Sequence, residues 1–245
     1  MNILFPVGGK GERFQNKFRT PKPLVEVNGK TLLEWSIETL GLSGQYIFVV
    51  LEYQEPEFNT QIENIIMSSK PKAIILKIKE PTLGSAFTCL VSEKYINNDD
   101  ELIITNCDQY LNWDFQNFIT FLEEEKPDAS VSIYDHGDVV VGEKSPYCFV
   151  KTDDSGKITE FKEKFAISEL SMNGIHYWKR GSDFVRSCKK MIDHSITVNG
   201  EYYLSGSFNF LISEGSRIMP FRMNKGEFYS LGTPEDIDKN IDKII

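Results

Sequence analysis

A short segment near the start of the sequence combines glycines with basic side chains. Gly8, Gly9 and Gly11 follow an apolar run, and residues 10–30 contain six basic residues against two acidic ones. Backbone amides in a glycine-rich turn can close around an anion, and lysine and arginine supply charge to hold it. The whole chain has a formal charge of −9, which argues against nucleic acid or an anionic membrane as the main partner. The segment therefore predicts a small anionic ligand.

Two familiar phosphate-binding loops do not fit this segment. A Walker A loop ending in the Gly-Lys-Thr at 29–31 would need a glycine at position 24, which is Leu24. The dinucleotide fingerprint G-x-G-x-x-G begins well at Gly9 and Gly11, but Phe14 stands in place of the third glycine. The anion must therefore be held by a different arrangement.

The remaining pattern places an arginine and a lysine on the same loop. It reads G-G-x-G-x-R, ending at Arg13, and a P-K-P-L segment containing Lys22 begins eight residues later. Arginine offers a rigid fork of donors to phosphate oxygens, and lysine offers a compact charge that can follow an oxygen through a reaction. The two side chains could therefore flank a triphosphate.

The elements that must position this loop are short buried strands. Four apolar runs rich in Ile and Val hardly alternate, as is typical of strands buried on both faces. Helical stretches separate them, which predicts an α/β fold with a Rossmann-like, doubly wound, mixed but mostly parallel sheet. After about residue 128, turn signals such as D-D-S-G predict a hairpin-rich, substrate-binding layer over the carboxyl ends of the parallel strands. The apolar runs span residues 2–7, 46–51, 73–78 and 101–107.

The pattern G-G-K-G-E-R-F followed by T-P-K-P-L-V-E-V-N-G-K-T resembles a known enzyme family. It is similar to the nucleotidyltransferases that activate sugar phosphates and related phosphorylated alcohols, the nucleoside-diphosphate-sugar pyrophosphorylases. A single glycine loop would be a weak signal, but further motifs recur in order through nearly the whole chain. They are EPTLGSA at 80–86, NCDQ at 106–109, GKITEFKEK at 156–164, NGIHYW at 173–178, GEYYL at 200–204 and LGTPED at 231–236.

The resemblance implies a reaction in which an acceptor's phosphate attacks the α-phosphorus of a nucleoside triphosphate and releases pyrophosphate. A phosphate nucleophile is already ionised near neutral pH, so the protein must mainly hold two anions in line and stabilise the transition-state charge. By the resemblance, Arg13 would hold the departing β- and γ-phosphates and Lys22 would bridge the reacting phosphates. Asp108 would bind Mg²⁺, the expected cofactor.

The other site residues implied by the resemblance form two sets within a single domain over residues 1–245. About 1–128 would be the nucleotide-binding half and about 129–245 the acceptor-binding half, in which Lys164 would receive the acceptor's phosphate and Glu163 a hydroxyl. The nucleotide-binding set is Val7, Gly8, Gly9, Gly11, Glu80, Gly84 and Ser85. The acceptor-binding set is Tyr147, Glu163, Lys164 and Glu201.

The nucleobase preference is expected to depend on Glu80. Thymidylyl- and uridylyltransferases of this kind often carry glutamine at the corresponding position. Glutamine can donate to a carbonyl oxygen of uracil or thymine, whereas an ionised glutamate only accepts, which suits the exocyclic amine of cytosine. CTP is therefore favoured, on the condition that Glu80 does not face solvent.

Two positions depart from the sugar-activating enzymes. Where they use an aspartate as a second metal ligand, two residues before the glycine of a late motif, this chain has Ser230. Metal affinity would then be lower, or Asp108 would act with phosphates and water alone. A sugar-contacting glycine that follows a tyrosine is here Cys148, after Tyr147. Its side chain narrows the room for a hexose, so the acceptor could be smaller than a hexose phosphate.

Several functions stay open at this point. The leading one is a nucleotidyltransferase that makes an activated precursor for surface polysaccharide; another is a cytidylyltransferase for a small polyol, amino-alcohol or amino-acid derivative. A glycosyltransferase would usually carry an Asp-x-Asp metal pair, which N-C-D-Q at 106–109 lacks. A noncatalytic regulatory subunit that binds a nucleotide sugar is favoured slightly by Ser230, but Arg13, Lys22 and Asp108 argue against it.

The sequence also predicts the surroundings and partners of the protein. The beginning of the chain does not read as a signal sequence, and no apolar run approaches the roughly 18 residues of a membrane span. Its four cysteines are far apart and form no CxxC pair, so a reducing cytoplasm is expected. The expected partners are a nucleoside triphosphate and a small phosphorylated acceptor, with no nucleic acid and no membrane. The resemblance leaves a homo-oligomer open.

Overall fold

The computed structural model describes residues 1–15, 17–135, 137 and 139–245. The strands are β1 (Asn2–Val7), β2 (Glu26–Val27), β3 (Lys30–Thr31), β4 (Gln45–Leu51), β5 (Ile74–Ile78), β6 (Leu102–Thr105), β7 (Gln109–Leu111), β8 (Ala129–Asp135), β9 (Lys144–Thr152), β10 (Ile158–Phe165), β11 (Leu170–Trp178), β12 (Ile218–Arg222) and β13 (Phe228–Ser230). The helices are α1 (Glu12–Gln15), α2 (Leu32–Leu40), α3 (Pro56–Ser69), α4 (Ser85–Leu90), α5 (Glu93–Ile96), α6 (Phe115–Glu125), α7 (Gly181–Asp193), α8 (Leu204–Ser213) and α9 (Pro234–Asn240). Short 3₁₀ turns lie at Lys22–Leu24 and Ile241–Lys243.

Nine strands of the described part of the chain form one mixed sheet. Its main path runs β10-β9-β11-β6-β1-β4-β5, and β8 and β12 extend it from β11. The strands β6, β1, β4 and β5 pair in parallel, whereas β11 pairs antiparallel with β6, β8 and β9. The predicted α/β class with a mixed, mostly parallel, Rossmann-like sheet is confirmed. The hairpin-rich second half of the chain continues this same sheet.

The strand β1 explains why the apolar runs do not alternate. Its residues Ile3, Leu4 and Phe5 are all fully buried. Successive side chains of a strand point to opposite faces. Leu4 accordingly packs into one hydrophobic core, and Ile3 and Phe5 pack into another. Both faces of β1 are covered, so its residues from Ile3 to Val7 are all apolar.

The pairing of β1 with β6 brings the glycine loop and Asp108 to one edge of the sheet. The two strands are parallel neighbours, with Asn2 beside Leu102 and Leu4 beside Ile104. Parallel strands present their carboxyl ends at the same edge, which is where open α/β sheets bind ligands. The loop that follows Val7 and the segment that follows Thr105 therefore meet there.

The strands β9 and β10 form a hairpin at the turn that the D-D-S-G segment predicts. Thr152 pairs with Ile158, and Gly156 has a φ of +82°. Asp153 Oδ1 accepts hydrogen bonds from the amides of Ser155 and Lys157 at 3.0 and 3.1 Å, so the aspartate organises the turn. The hairpin leads directly into Glu163 and Lys164 at the far end of β10.

His176 provides a test of how the sheet responds to pH. It is 3% exposed in β11, and its Nδ1 lies 3.0 Å from the carbonyl oxygen of Ile104. Burial lowers the pKa of His176 to about 4, because the charged ring would lose its hydration. The unfolded chain has a histidine pKa of about 6.5 and binds the extra proton first, so the free energy of unfolding should fall by roughly 3 kcal/mol as pH decreases from about 6.5 to about 4. Above this window the stability is fully present.

Urea unfolding at pH 7 and at pH 4.5 measures this dependence. The His176→Gln variant removes the buried titrating group, and carboxylates that titrate in the same range are common to both proteins. We expect the variant to lose less stability between the two pH values than the natural protein does. An equal loss in both proteins would contradict the assignment.

No helix in the described part of the chain has the length and apolar character needed to cross a membrane.

Candidate active site

The loop after β1 is held tightly at two of its glycines. A β-carbon on Gly8 would lie 2.7 Å from Ile78 Cδ1 and 3.0 Å from Thr88 Cγ2. Gly11 has a φ of +63°, and a β-carbon there would lie 2.9 Å from the β-carbon of Lys22. These positions need glycine because the loop backbone packs against α4 on one side and against the Lys22 segment on the other. Gly9 between them is exposed, and its backbone is open to a ligand.

Lys22 and Asp108, which the sequence analysis assigned to one site, contact each other. Lys22 Nζ donates a short hydrogen bond to Asp108 Oδ2, and each side chain is 20% exposed. Burial acts to lower the pKa of Lys22, but the charge of Asp108, its hydrogen bond to the ammonium and the neighbouring Cys107 together more than offset this effect, so the pKa lies above its ordinary value. The ammonium is therefore charged at neutral pH and fixed beside the carboxylate.

Asp108 does not cap α6, the helix that follows it along the chain. The N-cap of α6 is Asp114, whose side chain accepts from the amide of Gln116 at 3.0 Å. The segment of Asp108 is instead anchored by backbone bonds to the end of the chain. Its carbonyl accepts from the amide of Leu231 at 2.8 Å, and Gln109 pairs with Ser230 where β7 meets β13.

The surroundings of Asp108 suit a hard divalent cation. A β-carbon on Gly232 would lie 3.4 Å from Asp108 Oδ2 and 3.3 Å from Ser230 Oγ, so the glycine leaves a small space lined by oxygen atoms. Carboxylate, hydroxyl and water oxygens are the ligands that Mg²⁺ prefers. Within the described residues no group of three or more His, Cys, Asp or Glu side chains could hold a metal ion. Most ligands of a Mg²⁺ here would therefore be water and substrate oxygens.

Arg13 lies exposed on α1, and its charge acts on groups of the acceptor side of the site. Burial raises the pKa of both Tyr147 and Tyr203, and the charge of Arg13 opposes this rise in each. The guanidinium is thus close to both phenols. Among the residues that the structure describes, no carboxylate forms an ion pair with Arg13. Its donors are available to an anion.

The Gly84 segment is fixed to the stretch around Tyr202. Gly84 has a φ of +122°, and a β-carbon would lie 2.6 Å from the carbonyl oxygen of Tyr202. The amide of Tyr202 donates to the carbonyl of Leu83 at 2.8 Å, and the amide of Ala86 donates to the carbonyl of Tyr202 at 3.1 Å. Ser85 begins α4 directly after Gly84. The backbone bonds therefore join a predicted nucleotide-binding motif to a predicted acceptor-binding motif.

Glu80 faces solvent, so the condition on which it would favour CTP is not met. It is exposed in the bend that follows β5, which is the last strand on its side of the sheet. Because β5 ends at Ile78, Glu80 lies beyond the covered part of the sheet and its carboxylate is hydrated. The exposed Glu80 therefore gives no support for a preference for CTP.

Lys164 is part of a hydrogen-bonded chain of three side chains. Its Nζ donates to the hydroxyl of Tyr203, and that hydroxyl donates to the carboxylate of Glu201. Lys164 has a φ of +59° at an irregular step in the pairing of β10 with β9. Non-glycine residues rarely adopt this conformation, and such positions concentrate at functional sites. The backbone there turns the ammonium toward Tyr203.

Glu163, like Lys164 and Tyr147 in the acceptor set, is half-buried. Its Oε2 accepts from Ser205 Oγ at 2.8 Å. Burial raises the pKa of Glu163, and the hydrogen bond from Ser205 opposes part of this rise. The neighbouring Cys148, at the position where the sugar-activating enzymes have glycine, is 5% exposed. Tyr203 and Ser205, which hold Lys164 and Glu163, were not among the predicted site residues. Tyr203 falls within the G-E-Y-Y-L motif, but no sequence signal pointed to Ser205.

A family comparison agrees with this arrangement. The model of the nucleotidyl transferase family matches residues 3–207. The chain belongs to that family. The resemblance inferred from the ordered motifs is thereby confirmed, and a nucleotidyltransferase is favoured over a glycosyltransferase.

The individual relatives of this nucleotidyltransferase family member are distant. Bifunctional protein GlmU from Thermotoga sp. (strain RQ2) is 24% identical over 221 residues, which cover 86% of this chain and 44% of that protein. The chain thus spans about half the length of the curated relatives it matches. Two solved structures have the same fold. The nucleoside-diphosphate-sugar pyrophosphorylase from Vibrio cholerae RC9 superposes with a TM-score of 0.81 at 20% identity, over 98% of this chain and 99% of that one. The inositol-1-phosphate CTP transferase from T. maritima gives a TM-score of 0.71 at 13% identity, over 99% and 93%.

Proposed function

We propose that the protein is a Mg²⁺-dependent nucleotidyltransferase in which an acceptor phosphate attacks the α-phosphorus of a nucleoside triphosphate. The observation that carries this proposal is the contact of Lys22 with Asp108 at the edge of the sheet where the glycine loop ends. One residue offers a fixed positive charge and the other a carboxylate for a cation. A triphosphate complexed with Mg²⁺ presents both charges to such a pair.

In the proposed reaction an acceptor phosphate oxygen forms a new bond to the α-phosphorus. The bond from the α-phosphorus to the bridging oxygen breaks, and its electron pair leaves with pyrophosphate. Arg13 neutralises the departing β- and γ-phosphates, and Lys22 follows the charge on the reacting oxygens. Asp108 and Ser230 are the groups that would hold Mg²⁺, which when bound withdraws charge from the phosphoryl oxygens.

The two halves of the chain divide the substrates in this proposal. Within one domain, residues 1–128 hold the nucleotide against Val7, the glycine loop, Gly84 and Ser85. Residues 129–245 hold the acceptor, with Lys164 on its phosphate and Tyr147, Glu163 and Glu201 around the rest. Tyr203 fixes the ammonium of Lys164 before the substrate arrives, which reduces the entropy lost on binding.

The acceptor is proposed to be a small phosphorylated sugar or polyol. Cys148 is packed beside Glu163 where the sugar-activating enzymes have glycine, and this favours a compact acceptor. The structural likeness to a nucleoside-diphosphate-sugar pyrophosphorylase and to an inositol-1-phosphate CTP transferase supports a sugar or a polyol respectively. Only the likeness to the inositol-1-phosphate CTP transferase supports CTP as the nucleotide in this proposal. The product would be an activated precursor for surface polysaccharide, made in the cytoplasm, where the four free cysteines would stay reduced.

Release of pyrophosphate in the presence of Mg²⁺ tests the proposed function. CTP, UTP, dTTP, ATP and GTP are each combined with a panel of phosphorylated sugars, polyols and amino alcohols. We expect release only with one nucleotide and one acceptor class, because the acceptor phosphate is the nucleophile. If no pair gives release of pyrophosphate while calorimetry still detects binding of a nucleotide, the result would contradict the transferase and favour a regulatory binding subunit.

A further inference from the structure

The serine at position 230 leaves the proposed metal site with one carboxylate fewer than the sugar-activating enzymes would have. A hydroxyl is neutral and binds Mg²⁺ more weakly than a carboxylate, which is the main protein ligand of this ion. A second carboxylate close to Asp108 would compensate for the difference. The following inference rests on the proposed function, since it concerns the cation of that reaction.

Asp236 supplies an oxygen at the same small space. Measured from where a β-carbon of Gly232 would lie, Asp236 Oδ2 is 3.7 Å away, compared with 3.4 Å for Asp108 Oδ2. The two carboxylates therefore face one point from different elements, Asp108 after β6 and Asp236 in the first turn of α9. Ser230 Oγ joins them, because it donates to Asp236 Oδ2 at 3.0 Å.

The orientation of Asp236 is not the one that helix capping would give it. In α2 the capping box closes in both directions, since Thr31 accepts from the amide of Glu34 and the Glu34 carboxylate accepts from the amide of Thr31 at 2.7 Å. In α9 only half of this arrangement exists. Thr233 accepts from the amide of Asp236 at 3.1 Å, but the carboxylate of Asp236 turns to Ser230.

The charge of Asp236 acts on a residue of the proposed site. Burial raises the pKa of Tyr147, a predicted acceptor-binding residue, and the charge of Asp236 raises it further. Its neighbour Glu235, in the same helical turn, is exposed. The helix therefore presents one carboxylate to solvent and one to the space beside Asp108.

We propose that Asp236 is the second carboxylate of the divalent-cation site, in place of the aspartate that position 230 lacks. It acts on the cation through Ser230 or through a metal-bound water, because Mg²⁺ commonly keeps several of its waters in protein sites. Asp236 is thus a positioning residue for the cation, which Asp108 contacts directly.

Titration with Mn²⁺, followed by the paramagnetic resonance of the free ion, tests the role of Asp236 without any turnover. The proteins compared are the natural chain, Asp236→Asn and Glu235→Gln. We expect Asp236→Asn to weaken Mn²⁺ binding by about 10- to 100-fold, the range found for outer-sphere partners of metal ligands. The Glu235→Gln control removes the same charge from the same helical turn and should bind Mn²⁺ as the natural protein does. Ser230→Asp added to Asp236→Asn should restore the affinity.

The inference is overturned if both single variants weaken Mn²⁺ binding equally, since the effect would then come from the general field of α9. It is also overturned if Asp236→Asn binds Mn²⁺ as the natural protein does, or if the natural protein binds no Mn²⁺ at millimolar concentrations. Its failure is distinguishable from failure of the proposed function. An Asp236-dependent affinity in a protein that never releases pyrophosphate would refute only the transferase.

Discussion

Lys22→Met is expected to lower kcat/KM for pyrophosphate release by about 10³-fold, because removing a donor aimed at developing charge typically costs 10²–10³. Methionine keeps most of the length of the lysine stem, which lies over Phe14 with Nζ 5.1 Å from the ring centroid. The packing is therefore largely retained, and the charge is removed. The loss should fall mainly on kcat if Lys22 follows the reacting oxygens, and on KM for the nucleotide if it only binds them.

Lys17→Met is the matched control for this variant. Lys17 belongs to the same loop, but its Nζ pairs with Asp238 at 2.7 Å on the surface. Surface ion pairs contribute about 0–1 kcal/mol, so both the activity and the stability of this variant should stay close to those of the natural protein. Equal losses in the two variants would indicate that the loop needs only its overall positive charge. A Lys22→Met protein with undiminished kcat/KM would contradict the assigned role.

The sequence predicted the parallel half of the fold well because burial on both faces leaves an unambiguous pattern. The runs at 2–7 and 46–51 correspond to β1 (Asn2–Val7) and β4 (Gln45–Leu51). The run at 101–107 contains β6, and the ends of β1 and β6 determine where the glycine loop and Asp108 lie. Neighbouring parallel strands bring motifs far apart in the chain to one edge.

Helix boundaries near the site were predicted less well because side-chain bonds to the backbone and tertiary contacts override local propensity. The sequence pattern over residues 83–96 predicts a single helix, but α4 and α5 are separate. Ser92 Oγ donates to the carbonyl of Cys89 at 2.7 Å, and such side-chain bonds compete with the helical pattern. The sequence pattern over roughly residues 201–213 also predicts a helix. It begins at Leu204, because the backbone of Tyr202 bonds to the Gly84 segment instead.

The residues that the sequence analysis missed act through contacts that no local pattern encodes. Tyr203 and Ser205 orient Lys164 and Glu163 from a different element. Tyr203 lies in the G-E-Y-Y-L motif, but nothing in the sequence links it to Lys164 or links Ser205 to Glu163. In the sequence, Asp236 is an ordinary acidic residue of the first turn of a helix. Only its hydrogen bond with Ser230, seen in the structure, distinguishes it from other such residues. The exposure of Glu80 also depends on tertiary structure, because Glu80 follows β5, which lies at an edge of the sheet.

Asp108→Asn is expected to reduce both the affinity for Mg²⁺ and kcat/KM, the latter by about 10²–10³-fold, on the scale found for lost electrostatic stabilisation. Asparagine has nearly the same shape, so the fold around Gly232 should persist, but a neutral amide oxygen is a poor substitute for a carboxylate on a hard cation. Titration of the rate with Mg²⁺ measures this effect. Raising the Mg²⁺ concentration should recover part of the activity if the carboxylate acts mainly through the cation.

The same variant should also shift the pH profile, because Asp108 determines the protonation of Lys22. Burial acts to lower the pKa of Lys22, and the Asp108 charge is the strongest opposing influence. Without that charge the pKa of Lys22 falls, so the ammonium is lost at lower pH and the alkaline limb of kcat/KM moves in the acid direction. Asp114→Asn is the control, since asparagine is an equally good N-cap for α6. If Asp108→Asn lowers kcat/KM by the same factor at every pH, the alkaline limb has not moved. That result would mean that the substrate phosphates, and not Asp108, keep Lys22 charged.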